Sequence, residues 1–232
     1  MSPPVRPRTP KGRNSRRRII DSAREVFARD GYTATRVLDI AETASLSLGA
    51  VYRYFGNKDE IFEAVMQELH EELYRATHVD GSAALNLQLD PYGTMFQATR
   101  AYLEVYQKQA GLLRALHEAS TLNADYRQLG LRGRRRFRDR TVRRLQDVAD
   151  PDMPLSSNDQ LLLQVEVLIH MTEYSAYIWL AQGTSTDGGS APDLDTAAAV
   201  LTDVWYGTLF NCREDSLSTP KRPLPNLERV AL

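Results

Sequence analysis

Apolar positions near the start of the chain recur with the period of an amphipathic helix. The repeat ends at Gly31, a residue type that commonly follows the end of a helix, and its inward positions are Ile19, Ile20, Ala23, Val26 and Phe27. This pattern predicts a first helix from about Ser15 to Gly31. The preceding residues 1–14 contain four prolines and four basic residues with almost nothing to bury, so we expect a flexible basic arm.

Two short helices and one long helix are predicted next. Thr35 can cap the first short helix, and Ser47 can cap the second, which extends to about Phe55. Asn57 is followed three residues later by a glutamate, which is the spacing of a capping box. The long fourth helix therefore starts after Asn57 and continues to about Thr77.

The rest of the chain also has helical periodicity, and no segment has the convincing alternation of a strand. Further helices are predicted at 91–109, 111–122, 123–149, 157–183 and 191–212, with turns rich in Gly, Pro, Asp and Ser between them. The expected fold class is therefore all-α. The last two helices are apolar on more than one face, which indicates a second packing partner, and a four-helix homodimer interface would supply one.

Charge is divided unevenly along the chain. Residues 1–58 contain 12 Lys and Arg against 5 Asp and Glu, whereas residues 59–232 contain 17 against 25. A basic N-terminal part can bind a polyanion, and the acidic remainder is unsuited to it. We expect no signal peptide and no membrane-spanning stretch, hence a cytoplasmic protein that does not bind membranes.

The sequence offers little that could carry catalysis or bind a metal. Its single cysteine excludes a disulfide or a Cys-based metal site within one chain. No pair of its four histidines has the spacing of a helical ligand set, and no serine or cysteine lies in a recognisable nucleophile motif. We therefore expect no metal, no cofactor and no enzymatic activity.

Two short helices joined by about three residues form a helix-turn-helix unit when a third helix packs behind them. Val51 and Phe55 can face the first helix, which leaves other side chains of the third predicted helix free for DNA. Gly49 allows close approach to a groove, Arg53 can reach phosphate or guanine, and Lys58 places a cation at a helix N-terminus. The predicted DNA-binding residues are Arg16, Arg17, Arg18, Thr35, Ser47, Leu48, Gly49, Ala50, Tyr52, Arg53, Tyr54 and Lys58.

The segment from Arg18 to Glu60 contains a recognisable set of residues. These are Ile19-Ile20, Ala23, Phe27, Gly31-Tyr32, Thr35, Asp39-Ile40-Ala41, Ser47, Gly49, Val51-Tyr52-Arg53-Tyr54-Phe55 and Asn57-Lys58. The set resembles the DNA-binding domain of the TetR family of transcriptional regulators, and the resemblance covers about the first 65 residues. It departs from the family pattern at Ser45, where many members have a turn glycine, and at Ala50, which is often threonine.

The resemblance implies a fold, partners and a mechanism. Three N-terminal helices would bind DNA, and a larger helical domain would bind a small molecule and form a homodimer that places two recognition helices on a pseudo-palindromic operator. In such proteins the effector moves the fourth helix and releases the double-stranded operator DNA. The implied effector is small and lipophilic or aromatic, and its candidate contacts are Phe96, Tyr102, Tyr106, Leu113, His117, Met171, Tyr174 and Trp179.

The sequence thus predicts a dimeric, ligand-responsive regulator, most simply a repressor. Its expected parts are a DNA-binding domain at 15–60, an effector-binding and dimerisation domain at 61–213 and a tail at 214–232. Two alternatives stay open: a helical-bundle enzyme or carrier with an N-terminal interaction module, and an architectural DNA-binding protein without an effector. A second basic run, 131–144, resembles a nucleic-acid patch, but salt bridges to neighbouring helices are the favoured use of its arginines.

Overall fold

The structure is a computed structural model that describes residues 9–77, 87, 89–147, 157–185 and 188–210. Within these ranges the chain forms nine α-helices, one π-helical turn and an isolated bridge between Thr184 and Ser190, so the all-α prediction is confirmed. The helices are α1 (Pro10–Ala34), α2 (Val37–Thr43), α3 (Leu48–Tyr52), α4 (Lys58–Ala76), α5 (Pro91–Lys108), α6 (Ala110–Leu122), α7 (Ala124–Asp147), α8 (Asn158–Ala176) and α9 (Leu194–Phe210). The π-helical turn, Tyr177–Ala181, continues α8.

Helix α1 begins earlier than the sequence pattern predicts. The Thr9 hydroxyl accepts a hydrogen bond from the Gly12 amide at 3.1 Å, and Pro10 occupies the first turn, where a missing amide hydrogen costs nothing. The prediction of a flexible arm is therefore wrong for residues 10–14, and residues 1–8 lie outside the described residues. At the other end, Gly31 has φ 79°, which kinks the chain before one further turn.

The caps of the next helices confirm two predictions and correct one. Ser47 accepts from the Ala50 amide at 3.2 Å, and Asn57 accepts from the Glu60 amide at 2.9 Å, as predicted. Thr35 does not cap α2, because its hydroxyl donates to the Gly31 carbonyl at 2.6 Å and is buried. The Asp39 carboxylate instead accepts a hydrogen bond from the Arg36 amide, at 3.1 Å.

A buried core connects the N-terminal helices to the larger helical part. Phe27 of α1 and Phe62 of α4 meet edge to face with centroids 4.9 Å apart, and Tyr126 of α7 packs against Phe62 at 5.1 Å. Helices α1 and α6 approach so closely that a Cβ on Gly111 would lie 2.5 Å from the carbonyl oxygen of Ala28. A second buried cluster joins α7, α8 and α9.

Helix ends differ from the predicted bounds in the C-terminal half. The predicted helix 157–183 becomes α8 and its π-helical turn, and the predicted helix 191–212 begins at Leu194. His78, Cys212 and the tail 214–232 lie outside the described residues. Across the part of the chain that the structure describes, no helix is long and apolar enough to cross a membrane.

Candidate nucleic-acid interface and cavity

Helix α3 has one buried side and one exposed side. Val51 is fully buried and Phe55, just beyond the helix, is 3% exposed, so both hold α3 against the core as predicted. The other side exposes Leu48, Gly49, Tyr52 and Arg53, with Tyr52 45% exposed. We call these four residues the recognition surface. Ala50 and Tyr54 are half-buried, and Ser47 is exposed at the start of the helix.

The turn before α3 requires an unusual backbone conformation. Ser45 has φ 51°, in the left-handed region that side chains other than glycine disfavour. Its amide donates to the Glu42 carbonyl at 2.9 Å, and the Leu46 amide donates to the Ala41 carbonyl at 2.9 Å. These bonds fix the angle between α2 and α3, and therefore the direction of the recognition surface.

The three consecutive arginines of α1 already have partners within the protein. Arg16 lies over the Phe55 ring at 5.1 Å, and Arg17 pairs with Asp21 and Glu68. Arg18 donates to the Ala44 carbonyl at the end of α2. Their contact with DNA stays a prediction, and it would have to coexist with these internal contacts or replace them.

Lys58 has a different role from the predicted one. Its ammonium donates to the carbonyls of Tyr32, Thr33 and Thr35 at 2.8, 3.3 and 3.1 Å, and it lies 4.4 Å from the centre of the Tyr32 ring. The kink at Gly31 leaves these carbonyls at the end of α1, where a cation is favourable. The structure therefore assigns this cation to the end of α1, away from the predicted phosphate contact. Thr35 is likewise buried, so its side chain does not face DNA.

Glu118 of α6 holds the same end of α1 from the opposite direction. Its carboxylate accepts from the amides of Tyr32 at 2.8 Å and Thr33 at 3.2 Å. The hydrogen bonding by Thr33 and Tyr32, together with the nearby Lys58 charge, lowers the pKa of Glu118 below its ordinary value. Tyr126 of α7 adds a hydrogen bond to the Tyr32 hydroxyl at 3.2 Å.

We call Tyr32, Lys58, Glu118 and Tyr126 the junction, since they join α1 to α4, α6 and α7. The sequence pattern does not mark Glu118 or Tyr126 as functional residues. No local pattern could have done so, because their partners lie 86 and 94 positions away. Through the junction, α6 and α7 contact the end of α1, the helix that supports α2 and α3.

A cavity of about 1020 Å³ lies among α4, α5, α7, α8 and α9. Its apolar lining is formed by Leu73, Leu87, Met95, Ala98, Phe137, Leu145, Ile169, Trp205 and Leu209. Thr172, also at its edge, accepts a hydrogen bond from the Trp205 indole at 2.8 Å. The size and the largely apolar surface are typical of a small-molecule site, and many polar and charged side chains also line this cavity.

One end of the cavity contains a compact polar cluster of His70, Tyr102, Arg134 and Glu173. Burial, and after it the positive charge of Arg134, lowers the pKa of His70 to about 4. Burial also raises the pKa of Tyr102 and of Glu173, although Arg134 hydrogen-bonds the Glu173 carboxylate and opposes that shift. At neutral pH His70 and Tyr102 are therefore uncharged beside an ion pair.

The arginines of α7 divide into two groups. Arg134 pairs with Glu173 and Arg138 pairs with Glu166, which fits the predicted salt bridges to a neighbouring helix. Arg132, Arg136, Arg140 and Arg144 line the cavity, as Arg134 also does, and we call these four the arginine row. Arg140 lies over the Tyr74 ring at 4.0 Å. The predicted salt bridges are thus present for Arg134 and Arg138, whereas the arginine row forms none with the described residues.

Most of the predicted effector contacts do not line the cavity. Tyr102 lines the cavity, whereas Phe96, Tyr106, Leu113, His117, Met171, Tyr174 and Trp179 do not. Tyr106 and Leu113 are buried in the core, and Phe96, Met171 and Trp179 pack against it. His117 is exposed and stacks on Tyr177 at 4.4 Å, and Tyr174 is 64% exposed. The side of α8 that meets the cavity is the one with Ile169, Thr172 and Glu173, and Tyr174 lies about 100° further round the helix.

Helices α8 and α9 expose apolar side chains. Leu163, Val167 and Tyr174 on α8 are 65%, 65% and 64% exposed, and Val200 and Val204 on α9 are 50% and 41% exposed. The α8 residues recur at helical spacing, so each helix presents a stripe that the described residues of the chain leave uncovered. These are the helices for which the sequence predicted a dimer interface.

Comparison with known proteins identifies the N-terminal region. Residues 19–65 match the family described as bacterial regulatory proteins, tetR family. The chain is 33% identical over 91 residues to the HTH-type transcriptional regulator TtgR of Pseudomonas putida, covering 39% of this chain and 42% of that protein. It is 28% identical over 138 residues to the HTH-type transcriptional repressor KstR2 of Rhodococcus jostii (strain RHA1), covering 56% and 68%.

The fold has solved counterparts. A TetR-like transcriptional regulator from Rhodococcus sp. RHA1 superposes with a TM-score of 0.60 at 23% identity, covering 83% of this chain and 94% of that chain. At this identity the likeness concerns the fold alone. The match to the first curated relatives spans less than half of their length, 42% for TtgR.

These relatives are named transcriptional regulators or repressors. The matched residues 19–65 include α2, α3 and the capped start of α4, the elements that form and support the recognition surface. Residues 19–65 of the chain therefore match the N-terminal region of the tetR family of bacterial regulatory proteins.

Proposed function

We propose that this chain is a dimeric transcriptional regulator that binds operator DNA through the recognition surface and releases it when an effector occupies the cavity. The observation that carries the proposal is the position of an exposed recognition surface and a large cavity on one helical framework, joined by the junction. We assign DNA binding to residues 15–60, and we assign effector binding and dimerisation to residues 61–213. Repression is the simplest consequence of operator binding.

The recognition surface has suitable chemistry for a major groove. Leu48 can contact thymine methyl groups, Arg53 can bind guanine or phosphate, and Tyr52 can donate a hydrogen bond to phosphate. A Cβ added at Gly49 would meet nothing within 4 Å, so the position faces open space. A glycine there lets the helix backbone approach a partner closely. Ser47, Ala50 and Tyr54 lie beside this surface, and Arg16 to Arg18 flank it on α1.

The exposed stripes of α8 and α9 support the dimer. Two copies would bury Leu163, Val167 and Tyr174 of one chain against the same helices of the other, in a self-complementary interface. Such a dimer presents two recognition surfaces to one operator, as two-fold symmetric DNA-binding proteins do. The same packing removes apolar stripes from water.

The junction supplies a route from the cavity to DNA. Helix α4 lines the cavity with His70 and Leu73 and carries Lys58 at its other end. Helix α7 lines the cavity with Phe137 and carries Tyr126. A ligand that separates α4 from α7 would therefore move both helices against the end of α1, and α2 and α3 would change direction with it.

The DNA contact is tested by fluorescence anisotropy with duplex DNA from upstream of the gene. Tyr52→Ala and Arg53→Ala should each weaken specific binding by about 1–3 kcal/mol, roughly fivefold to 150-fold. Arg135→Ala, which removes an exposed arginine of α7 outside the surface, is the matched control. Binding that is unchanged in both surface variants would contradict the proposed interface.

The dimer is tested separately by sedimentation velocity. Val167→Asp places a charge in the stripe of α8 and should convert the dimer to a monomer, and operator affinity should fall with it. Glu63→Lys changes an exposed charge on α4 and should leave the dimer intact. A dimer that persists in Val167→Asp would place the interface elsewhere.

A further inference from the structure

The edge of the cavity carries charge of both signs in an ordered arrangement. The arginine row occupies positions four residues apart on α7, so its guanidinium groups follow one edge of the cavity. Glu63 and Glu71 lie along α4, and Asp147 lies at the end of α7. Cations therefore dominate the α7 edge, and the carboxylates occupy the α4 edge and one end.

The arginine row does not serve the packing of α7 against α8. That role belongs to Arg134 and Arg138, each of which pairs with a carboxylate of α8. Among the described residues, no carboxylate forms an ion pair with a member of the row, and Arg140 rests on the Tyr74 ring instead. A guanidinium without a carboxylate partner retains donors in a fork that fits a carboxylate or a phosphate.

Arginines also lie near His70 at one end of the cavity, where Glu173 pairs with one of them, Arg134. The positive charges of Arg134 and Arg136 both lower the pKa of His70, because each disfavours a protonated imidazole beside it. Beyond this end the wall becomes apolar, and Leu73, Ile169 and Leu209 are buried side chains that line it. The cavity thus combines an arginine-lined edge with an apolar interior.

We propose that the cavity binds an amphipathic anion, with its apolar body among Leu73, Phe137 and Ile169 and its anionic head group on the arginine row. The proposal rests on the proposed function, because it names the chemical class of the effector for that same site. It replaces the expected lipophilic or aromatic effector with one that also carries negative charge. A carboxylate and a phosphate monoester present the same chemistry to a guanidinium, and the experiment separates them.

The test uses four probes that share a ten-carbon chain and differ in the head group. Decanoate, decyl phosphate and decyltrimethylammonium are titrated into the full chain below their micelle concentrations, and decanol below its solubility limit, with isothermal titration calorimetry as the measurement. We expect at least one anion to bind about tenfold more tightly than decanol, since charge-assisted hydrogen bonds add to the same apolar contacts. The tighter of the two anions identifies the head group.

Matched variants locate the head group. Arg136→Ala with Arg140→Ala should remove the preference for the anion and leave the affinity for decanol unchanged. Arg135→Ala with Arg143→Ala removes the same charge from positions of α7 that do not line the cavity and should keep the preference. Higher salt should reduce the preference in the native chain, because exposed guanidinium groups are screened.

The results that would contradict this proposal differ from those that would contradict the proposed function. Equal binding of decanol and the anions, binding of none of the probes, or a preference that survives in the cavity variant each overturns the amphipathic anion. Operator release is measured with the same probes by anisotropy. An anion that binds in the predicted manner but leaves the operator bound contradicts the effector mechanism, while the ligand class stands.

Discussion

The core beneath the recognition surface and the core around the cavity are built in opposite ways. Phe27, Ile40 and Val51 are fully buried and hold α1, α2 and α3 together. Among α4, α7 and α8, by contrast, about 1020 Å³ stays open, and Phe137 is half-buried against it. A rigid core fixes the direction of α3, whereas an open core allows a ligand to move the helices around it.

Truncation of one phenylalanine in each region tests this contrast most strongly. Phe27→Ala removes a fully buried ring from the centre of an aromatic cluster, so the free energy of unfolding should fall by about 3–5 kcal/mol. Phe137→Ala enlarges a space that already exists and should cost clearly less. Denaturant unfolding of both variants measures the difference, and equal losses would contradict an open cavity in the free protein.

Acid should act on the cavity region through His70. Its pKa is lowered from 6.5 to about 4 in the folded chain by burial and by Arg134, so the unfolded chain takes up a proton first as the pH falls. Stability from this group is complete above about pH 6.5 and declines down to about pH 4, by up to about 3 kcal/mol. Denaturant unfolding midpoints between pH 7 and pH 4 measure the decline.

Two histidine variants assign that pH dependence. His70→Gln should flatten the decline, because the buried imidazole is the group that resists protonation. His117→Gln alters an exposed histidine that stacks on Tyr177 and should leave the decline as in the native chain. A decline of the same size in His70→Gln would show that other groups produce it.

The contact between the two regions can be tested at Gly111. A Cβ at this position would lie 2.5 Å from a backbone oxygen of α1, which cannot move away as a flexible side chain could. Gly111→Ala should therefore lower the free energy of unfolding by about 1–3 kcal/mol through overpacking. Gly130→Ala on α7, where the nearest atom is a flexible arginine nitrogen at 3.7 Å, is the control and should not destabilise.

The same contrast explains which parts of the molecule could be predicted from the sequence. Ser47 and Asn57 were identified as caps, and Val51 and Phe55 as inward residues, because these roles depend on neighbours within a few positions. Lys58 binds carbonyls more than 20 positions away, so its role required the kink at Gly31 to be known.

The lining of the cavity was harder to predict for a geometric reason. Residue type alone favoured Tyr174, but Glu173 is the one that faces the cavity, and adjacent residues on a helix differ by about 100° in direction. Which side of α8 meets α7 depends on packing between helices, which an amphipathic pattern fixes only when one face is polar. Helix α8 is apolar on several sides, so its sequence left that choice open.

The smallest expected effect concerns the turn that orients the recognition surface. Ser45 has φ 51°, a conformation that glycine adopts without steric cost, so Ser45→Gly should raise the free energy of unfolding by up to about 1 kcal/mol. The same replacement at Ser22, within α1, should lower it by about 0.5 kcal/mol, because glycine weakens a helix interior. Thermal unfolding of the two variants should therefore shift in opposite directions. A decrease in both would mean that the Ser45 side chain contributes more than its backbone strain costs, and that the turn depends on the serine itself.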